Sequence, residues 1–329
     1  MKETLEILFA GIELTEQQAY DSFMRITSGD LSDVEISAFL TAYNMRPVTV
    51  DEFRGFRKAL LERCIPINFS DFDTIDVVGT GGDGKNTFNI STASCFVIAG
   101  AGYQVAKHGN YGLSSVSGAS NMFEYFGYKF TNDADALRRD LEKNGICFLH
   151  APLFHPAMKH VANVRKSLRV RTLFNYMGPV INPSAPKRQL IGCNSYAIMR
   201  LYNRLLRHEE GRFVTVHAVD GYDEVSLTCD TIAGTDCRLE VLQTKEFGFK
   251  SLKKEELAGG KSIDDAAKIF LSIMKNECTE AQRHVVIANA ALGVQCFKPE
   301  QSLIDCVAEA RQSLENGSTY RVFKQLLNN

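Results

Sequence analysis

The chain has 329 residues, 45% of them hydrophobic and 23% charged, with 24 glycines and 8 prolines, a composition that excludes a disordered or fibrous protein and leaves room for about two domains. Its 37 Lys and Arg against 39 Asp and Glu give a net charge of −2, so no global basic field recruits nucleic acid or anionic lipid. Nine scattered cysteines without a C-x-x-C pair read as reduced thiols of a cytoplasmic protein, and no apolar stretch approaches the roughly 20 residues of a membrane span.

Met1–Leu14, interrupted by Glu3, Glu6 and Glu13, lacks the basic start and apolar middle of a signal peptide. From Thr15 to Cys64 the periodicity is helical: Ala19, Phe23 and Ile26 form one stripe, Ile36, Phe39, Leu40 and Tyr43 a second, and Phe53, Phe56, Leu60 and Leu61 a third. Pro66 and the polar run Asn68–Asp73 close this helical unit. Thr74–Val78 is then a β-branched run feeding a glycine cluster and the apolar helical stretch Ala93–Ala101. Short apolar runs at Tyr103–Ala106, Ile146–Leu149, Gln189–Cys193 and Phe213–Val219 alternate with helical segments at Ala134–Lys143, Ala197–Arg207 and Asp264–Lys275. That alternation predicts an α/β fold with a mostly parallel central sheet and ligands bound outside the carboxyl ends of its strands. Pro156–Leu168 reads as a helix with proline in its first turn, and the broken stretch Phe174–Pro183 returns the chain to the helical unit. The expected boundaries are 1–66 with a returning segment at about 157–184 for the helical domain, and 67–156 with 185–329 for the α/β domain.

Four segments carry chemistry. Gly79-Thr-Gly-Gly-Asp-Gly84 follows a strand and precedes Asn86-Thr-Phe-Asn-Ile-Ser-Thr92, which leads into a helix; bare amides and a helix start attract anions, so this is a phosphate cradle. It matches neither G-x-G-x-x-G nor the nucleotide P-loop pattern. Ser91 and Thr92 read otherwise as helix caps. Lys107-His-Gly-Asn110 ends the second strand and enters the hydroxyl-rich Tyr111–Gly118, a segment suited to a phosphorylated sugar, with His108 in a positioning role at best. Asp223 and Glu224, just beyond the strand Phe213–Val219, are the hard oxygen ligands that Mg²⁺ prefers beside phosphates. Arg165 shares a cationic segment with Lys159, Lys166, Arg169 and Arg171; one of these is placed to anchor an acidic substrate, and spacing does not choose which. His150, His155 and His160 recur every five residues, which does not stack them as a zinc pair.

These blocks resemble the anthranilate phosphoribosyltransferase family. The likeness lies in Asp76–Gly84, Asn86–Thr92, Lys107–Asn110, His155–Lys159 through Arg165, Phe174-Asn with Gly178-Pro and Asn182-Pro183, and Asp220-Gly-Tyr-Asp-Glu-Val-Ser226, and extends to the N-terminal helices and the closing Asn289-Ala-Ala-Leu helix. The resemblance implies a small helical domain hinged to a larger α/β domain, a homodimer formed through the helical parts, and transfer of the phosphoribosyl group of 5-phosphoribosyl 1-diphosphate (PRPP) to the amine of anthranilate in L-tryptophan biosynthesis. It implies PRPP and Mg²⁺ on the α/β domain and anthranilate in the cleft between domains. Residues carried over for PRPP are Gly79, Thr80, Gly81, Gly82, Asp83, Thr87, Asn89, Ser91, Thr92, Lys107 and Ser115, with Asn110 beside the sugar phosphate. Those for anthranilate are Gly79, Asn110, His155, Arg165 and Gly178, with His108 along the path, and those for the metal Ser91, Asp223 and Glu224. The chain departs from many relatives at Tyr111, where they carry Arg, and at Asn121, where they carry an acid.

The resemblance also implies attack of the anthranilate amine on ribose C1 with inversion, which needs no strong general base, and no Ser-His-Asp or Cys-His constellation is evident. Two rivals share the two-domain plan. A pyrimidine nucleoside phosphorylase is disfavoured by the Gly79 block and the lack of that family's lysine-serine phosphate loop. A non-catalytic nucleic-acid binder is disfavoured by near-zero net charge and the retained Asp223 and Glu224.

Overall fold

A computed structural model describes residues 1–112, 116–236 and 238–328. The chain divides into two compact units, Met1–Ile67 with Ala151–Ala185, and Asn68–His150 with Pro186–Asn329. The first unit is helical, with helices Lys2–Phe9, Glu16–Ser28, Asp33–Met45 and Val50–Glu62. Thr15, Ser32 and Thr49 each start a helix with a capping box, their hydroxyls taking the amide three residues on while Gln18, Glu35 or Glu52 reaches back. The predicted stripes meet in an aromatic core of Phe23, Phe39, Phe53 and Phe56, all fully buried, with Phe23 stacked on Phe56 at 4.2 Å between centroids. The chain returns at Ala151, passes through the 3-10 turn Pro156–Met158 into the helix Lys159–Leu168, and sets Phe174 at 5.2 Å from Phe23. Proline thus opens a 3-10 turn here rather than the α-helix itself, its missing N–H and fixed φ suiting a first turn.

The second unit holds a seven-stranded sheet. Its strands are β1 Thr74–Gly79, β2 Gln104–Gly109, β3 Ile146–His150, β4 Arg188–Gly192, β5 Arg212–Ala218, β6 Thr231–Gly234 and β7 Leu239–Leu242, in spatial order β3-β2-β1-β4-β5-β6-β7. The first five pair in parallel; β6 and β7 extend the edge antiparallel. Strand order reverses between β1 and β4, which opens a crevice outside their carboxyl ends. The helices Ile90–Gly100 and Glu280–Phe297 pack together and against the sheet, burying residues along nearly their whole length. Among the described residues, no helix is long and apolar enough to cross a membrane.

Candidate active site

β1 ends at Gly79 and β4 at Gly192, paired in register. Neither position admits a side chain: a Cβ on Gly79 would strike the Asp223 carboxylate, and one on Gly192 the Asp223 carbonyl oxygen. Glycine at both strand ends therefore lets the 219–230 loop, which leaves β5, press onto the crevice. Past Gly79 the chain turns through Gly81, Gly82 and Gly84 at φ of +65°, +69° and +73°, values that residues with a Cβ rarely take.

This turn is fastened from several sides. Thr80 N–H donates to the Gly192 carbonyl at 2.9 Å, Asn194 N–H donates to the Thr80 hydroxyl at 3.0 Å, and Asn194 Nδ2 donates to the Gly81 carbonyl at 2.8 Å. Gly81 N–H donates to Asp223 Oδ2 at 2.6 Å. Ser91, in the first turn of helix Ile90–Gly100, donates to Glu224 Oε1 from its amide at 3.0 Å and from its hydroxyl at 2.6 Å. The glycine turn and the acid pair are thus in direct contact. Some amides expected to await an anion are taken: Thr80 by a carbonyl, Gly81 and Ser91 by carboxylates. Those of Gly82, Asp83 and Gly84 donate to no other group among the described residues.

Electrostatics at this contact are strained. Burial first, then the nearby Asp83 carboxylate, lifts Asp223 to about 6. Burial and then the Asp223 charge raise Glu224 well above the ordinary range, against the two Ser91 hydrogen bonds. Glu224 Oε2 is enclosed yet has no hydrogen-bond partner. A buried carboxylate oxygen left bare beside a second crowded acid is a poor arrangement for protein alone and a good one for a divalent cation, so the residues present fit Mg²⁺. Among the described residues no three His, Cys, Asp or Glu side chains converge into a cage.

The hydroxyl-rich segment is tied to the same turn. Asn89 Nδ2 donates to the Ser117 carbonyl at 3.1 Å, its Oδ1 being enclosed without a partner, and Val116 N–H donates to Asn86 Oδ1 at 3.3 Å. Asn121 Oδ1 accepts from both Gly112 N–H at 3.0 Å and Gly118 N–H at 2.9 Å, closing the neck of that segment with a neutral amide. Tyr111 donates to Glu124 at 3.2 Å and stands edge-on to His150. Ser115 lies outside the described residues. Lys107 is buried, and its ammonium donates to the Val77 carbonyl at 2.8 Å beneath the end of β1, so it is a fixed interior charge rather than a mobile surface anchor. His108 is buried, its amide donating to Asp76 Oδ1 at 3.1 Å. Asn110 is exposed and caps Tyr111 N–H at 2.8 Å; Thr92 is buried and Thr87 half-buried.

His155, Arg165 and Gly178 belong to the helical unit. Of the cationic side chains left open by spacing, Arg165 is drawn inward, its guanidinium 5.6 Å from the Phe174 ring centroid, while Lys159, Lys166, Arg169 and Arg171 are exposed. Burial holds the Arg165 guanidinium below its usual range, and among the described residues no carboxylate pairs with it. His155 Nε2 meets the Ile181 carbonyl at 3.0 Å, and burial lowers the ring to about 4. Gly178 opens a 3-10 turn, Gly178–Val180, where a Cβ would meet open space.

Comparison with known proteins agrees with this architecture. The model described as glycosyl transferase family, helical bundle domain, matches residues 2–64, and that described as glycosyl transferase family, a/b domain, matches residues 71–320. An anthranilate phosphoribosyltransferase of Cytophaga hutchinsonii is 48% identical over 325 residues, covering 99% of each chain. The chain belongs to the anthranilate phosphoribosyltransferase family. A Bacteroides thetaiotaomicron member is likewise 48% identical over 99% of this chain and 98% of its own. The crystal structure of the Thermus thermophilus member superposes with a TM-score of 0.92 at 30% identity, over 98% of each chain. A Saccharomyces cerevisiae member in complex with PRPP and Mg shares the fold, with a TM-score of 0.89 at 23% identity over 98% of this chain and 96% of that one. The family expected from the motifs is the family found.

Sequence reasoning passed over Asn194 and gave Asn289 no role. Asn289 Oδ1 accepts from Val225 N–H at 3.0 Å, one residue past the acid pair. Its one visible signal is an asparagine amid the apolar run of a buried helix, where that residue is unfavourable without a partner.

Proposed function

We propose that this chain transfers the phosphoribosyl group of PRPP to the amine of anthranilate, releasing diphosphate, in L-tryptophan biosynthesis. The observation that carries the reading is the contact of Asp223 with the Gly81 amide and of Glu224 with Ser91, at the mouth of the crevice between β1 and β4. An acid pair with an enclosed, unpartnered oxygen stands there beside three unused glycine-turn amides, and a metal diphosphate needs both.

In this reading the amine nitrogen bonds to ribose C1 as the bond from C1 to the diphosphate oxygen breaks, with inversion, and the amine proton passes to solvent. The Gly82, Asp83 and Gly84 amides receive the departing anion, and Asn89 and the hydroxyl segment it holds orient the sugar. Lys107 adds fixed positive charge beneath the site. Asp223, Glu224 and Ser91 would hold Mg²⁺, which would supply positive charge at the leaving group. Catalysis is then electrostatic and positional, and an aromatic amine, neutral at pH 7, requires no general base. Arg165 recognises the anthranilate carboxylate, with His155 and Gly178 on the same unit. The enzyme works in the cytoplasm as a homodimer, a reading supported by the exposed apolar side chains of the helical unit.

Purified protein mixed with PRPP, Mg²⁺ and anthranilate should quench anthranilate fluorescence as product forms. Changing both Asp223 and Glu224 to Ala should lower turnover at least about a hundredfold with the fold retained by circular dichroism. Stable fluorescence at saturating substrate, with uridine and phosphate consumed instead, would replace this reading with the phosphorylase one.

A further inference from the structure

Asn289 sits in the middle of the helix Glu280–Phe297, only 3% exposed. An amide in such a place is costly unless every donor and acceptor is matched. Here they are matched mostly by one residue: Oδ1 accepts from Val225 N–H at 3.0 Å, and Nδ2 donates to the Val225 carbonyl at 2.8 Å and to the Val285 carbonyl at 2.9 Å. The side chain thus acts toward Val225 as a neighbouring strand would, gripping both polar groups of one peptide.

Val225 follows Asp223 and Glu224 directly and is fully buried. On the other side, the backbone of Asp223 rests against Gly192 with no room for a Cβ between. The acid pair therefore lies on a short span of backbone pinned at both ends, by β4 before it and by Asn289 after it. The two carboxylates on this span are held by Gly81 and Ser91, and their backbone needs its own restraint for those contacts to persist. Asparagine supplies the restraint with no charge. A lysine or arginine would neutralise the acids, and an aspartate could not donate to the two carbonyls that Nδ2 serves.

We infer that Asn289 is a positioning residue that holds Asp223 and Glu224 in the geometry needed to bind a divalent cation, so that it sets cation affinity without touching the cation. The inference rests on the reading of that pair as cation ligands.

Mn²⁺ is a direct probe, because its electron paramagnetic resonance signal falls on binding and needs no turnover. Titration in the presence of PRPP, read against a protein-free Mn²⁺–PRPP blank, should show N289A weakening Mn²⁺ affinity about tenfold or more. The control is L292A, which cuts a fully buried side chain from the same helix and leaves the Asn289–Val225 hydrogen bonds in place; it should lower the melting temperature comparably and leave Mn²⁺ affinity within about twofold. A Mn²⁺ affinity in N289A within about twofold of wild type, or an equal loss in L292A, overturns the inference. The combined variant D223N/E224Q separates the two levels. If it binds Mn²⁺ as tightly as wild type, the cation assignment itself fails; if it loses binding while N289A does not, only the role of Asn289 fails.

Discussion

At the scale of single residues the two substrates call for different chemistry. Arg165 is a half-buried guanidinium free of carboxylate partners among the described residues, over the Phe174 ring. A planar fork grips a carboxylate through two parallel hydrogen bonds, and lysine cannot. R165K should therefore raise the KM for anthranilate about tenfold or more while leaving that for PRPP within about twofold, measured by fluorescence at saturating second substrate; equal change in both would remove Arg165 from acceptor recognition. His155 gives a pH signature. Its ring is lowered to about 4 by burial, so the folded chain prefers it neutral, and its contribution to stability is complete above the ordinary value of 6.5. Between 6.5 and about 4 the unfolded state takes up the proton first, and that contribution is lost as pH falls. From about pH 7 to about pH 5 the loss is about 2 kcal/mol, which H155Q should abolish in urea unfolding. Equal slopes for the two proteins would show that burial does not hold the ring neutral.

Among elements, the capping boxes do more than start helices. Glu52 closes the box of helix Val50–Glu62 through Thr49 N–H at 2.9 Å, accepts from Leu14 N–H at 2.9 Å and the Tyr43 hydroxyl at 3.0 Å, and pairs with Arg46. Burial would raise this carboxyl, but the Arg46 hydrogen bond, then the two amides, hold it below the ordinary range. Removing it strands Arg46 and three donors. E52A should thus cost about 3 kcal/mol or more, against about 1 for T49A, which loses one cap bond; near-equal losses in denaturant unfolding would deny Glu52 this wider role. The hydrophobic stripes of the helical unit are legible from spacing, as are the five parallel strands, because each rests on a local pattern. β6 and β7 are not: both are only four residues long, and Thr231–Gly234 ends in glycine, so neither shows a sustained alternation. The glycine turn and the acid pair are legible as strand-end motifs, yet their mutual contact joins residues 142 apart in sequence and appears only once the strands are ordered. Asn194 is silent for the same reason, and Asn289 signals only that it needs a partner, since an asparagine declares which partner only in three dimensions.

For the whole molecule, the chain passes from one unit to the other at Ile67–Asn68, His150–Ala151 and Ala185–Pro186, so neither unit is a continuous segment that could be excised and tested by itself. Assembly has to be probed on the full chain. With a net charge of −2 there is little long-range repulsion to oppose association of two copies. The helical unit carries Phe9, Ile12, Val34 and Met45 at 66%, 57%, 78% and 82% exposure, large apolar groups on a protein that buries most of its others. Val34 and Met45 lie on one helix, Asp33–Met45, separated by about three turns, and so share a side of it, and that helix packs on Lys2–Phe9. Two copies meeting through these helices would remove that surface from water. Placing a charge at both positions should separate them without disturbing the buried core. V34E/M45E should elute with the light-scattering mass of one chain at concentrations where the wild type shows twice that mass, with an unchanged circular dichroism spectrum. A wild type that already shows a single-chain mass, or a variant that keeps the doubled mass, would put the interface elsewhere or dispense with it.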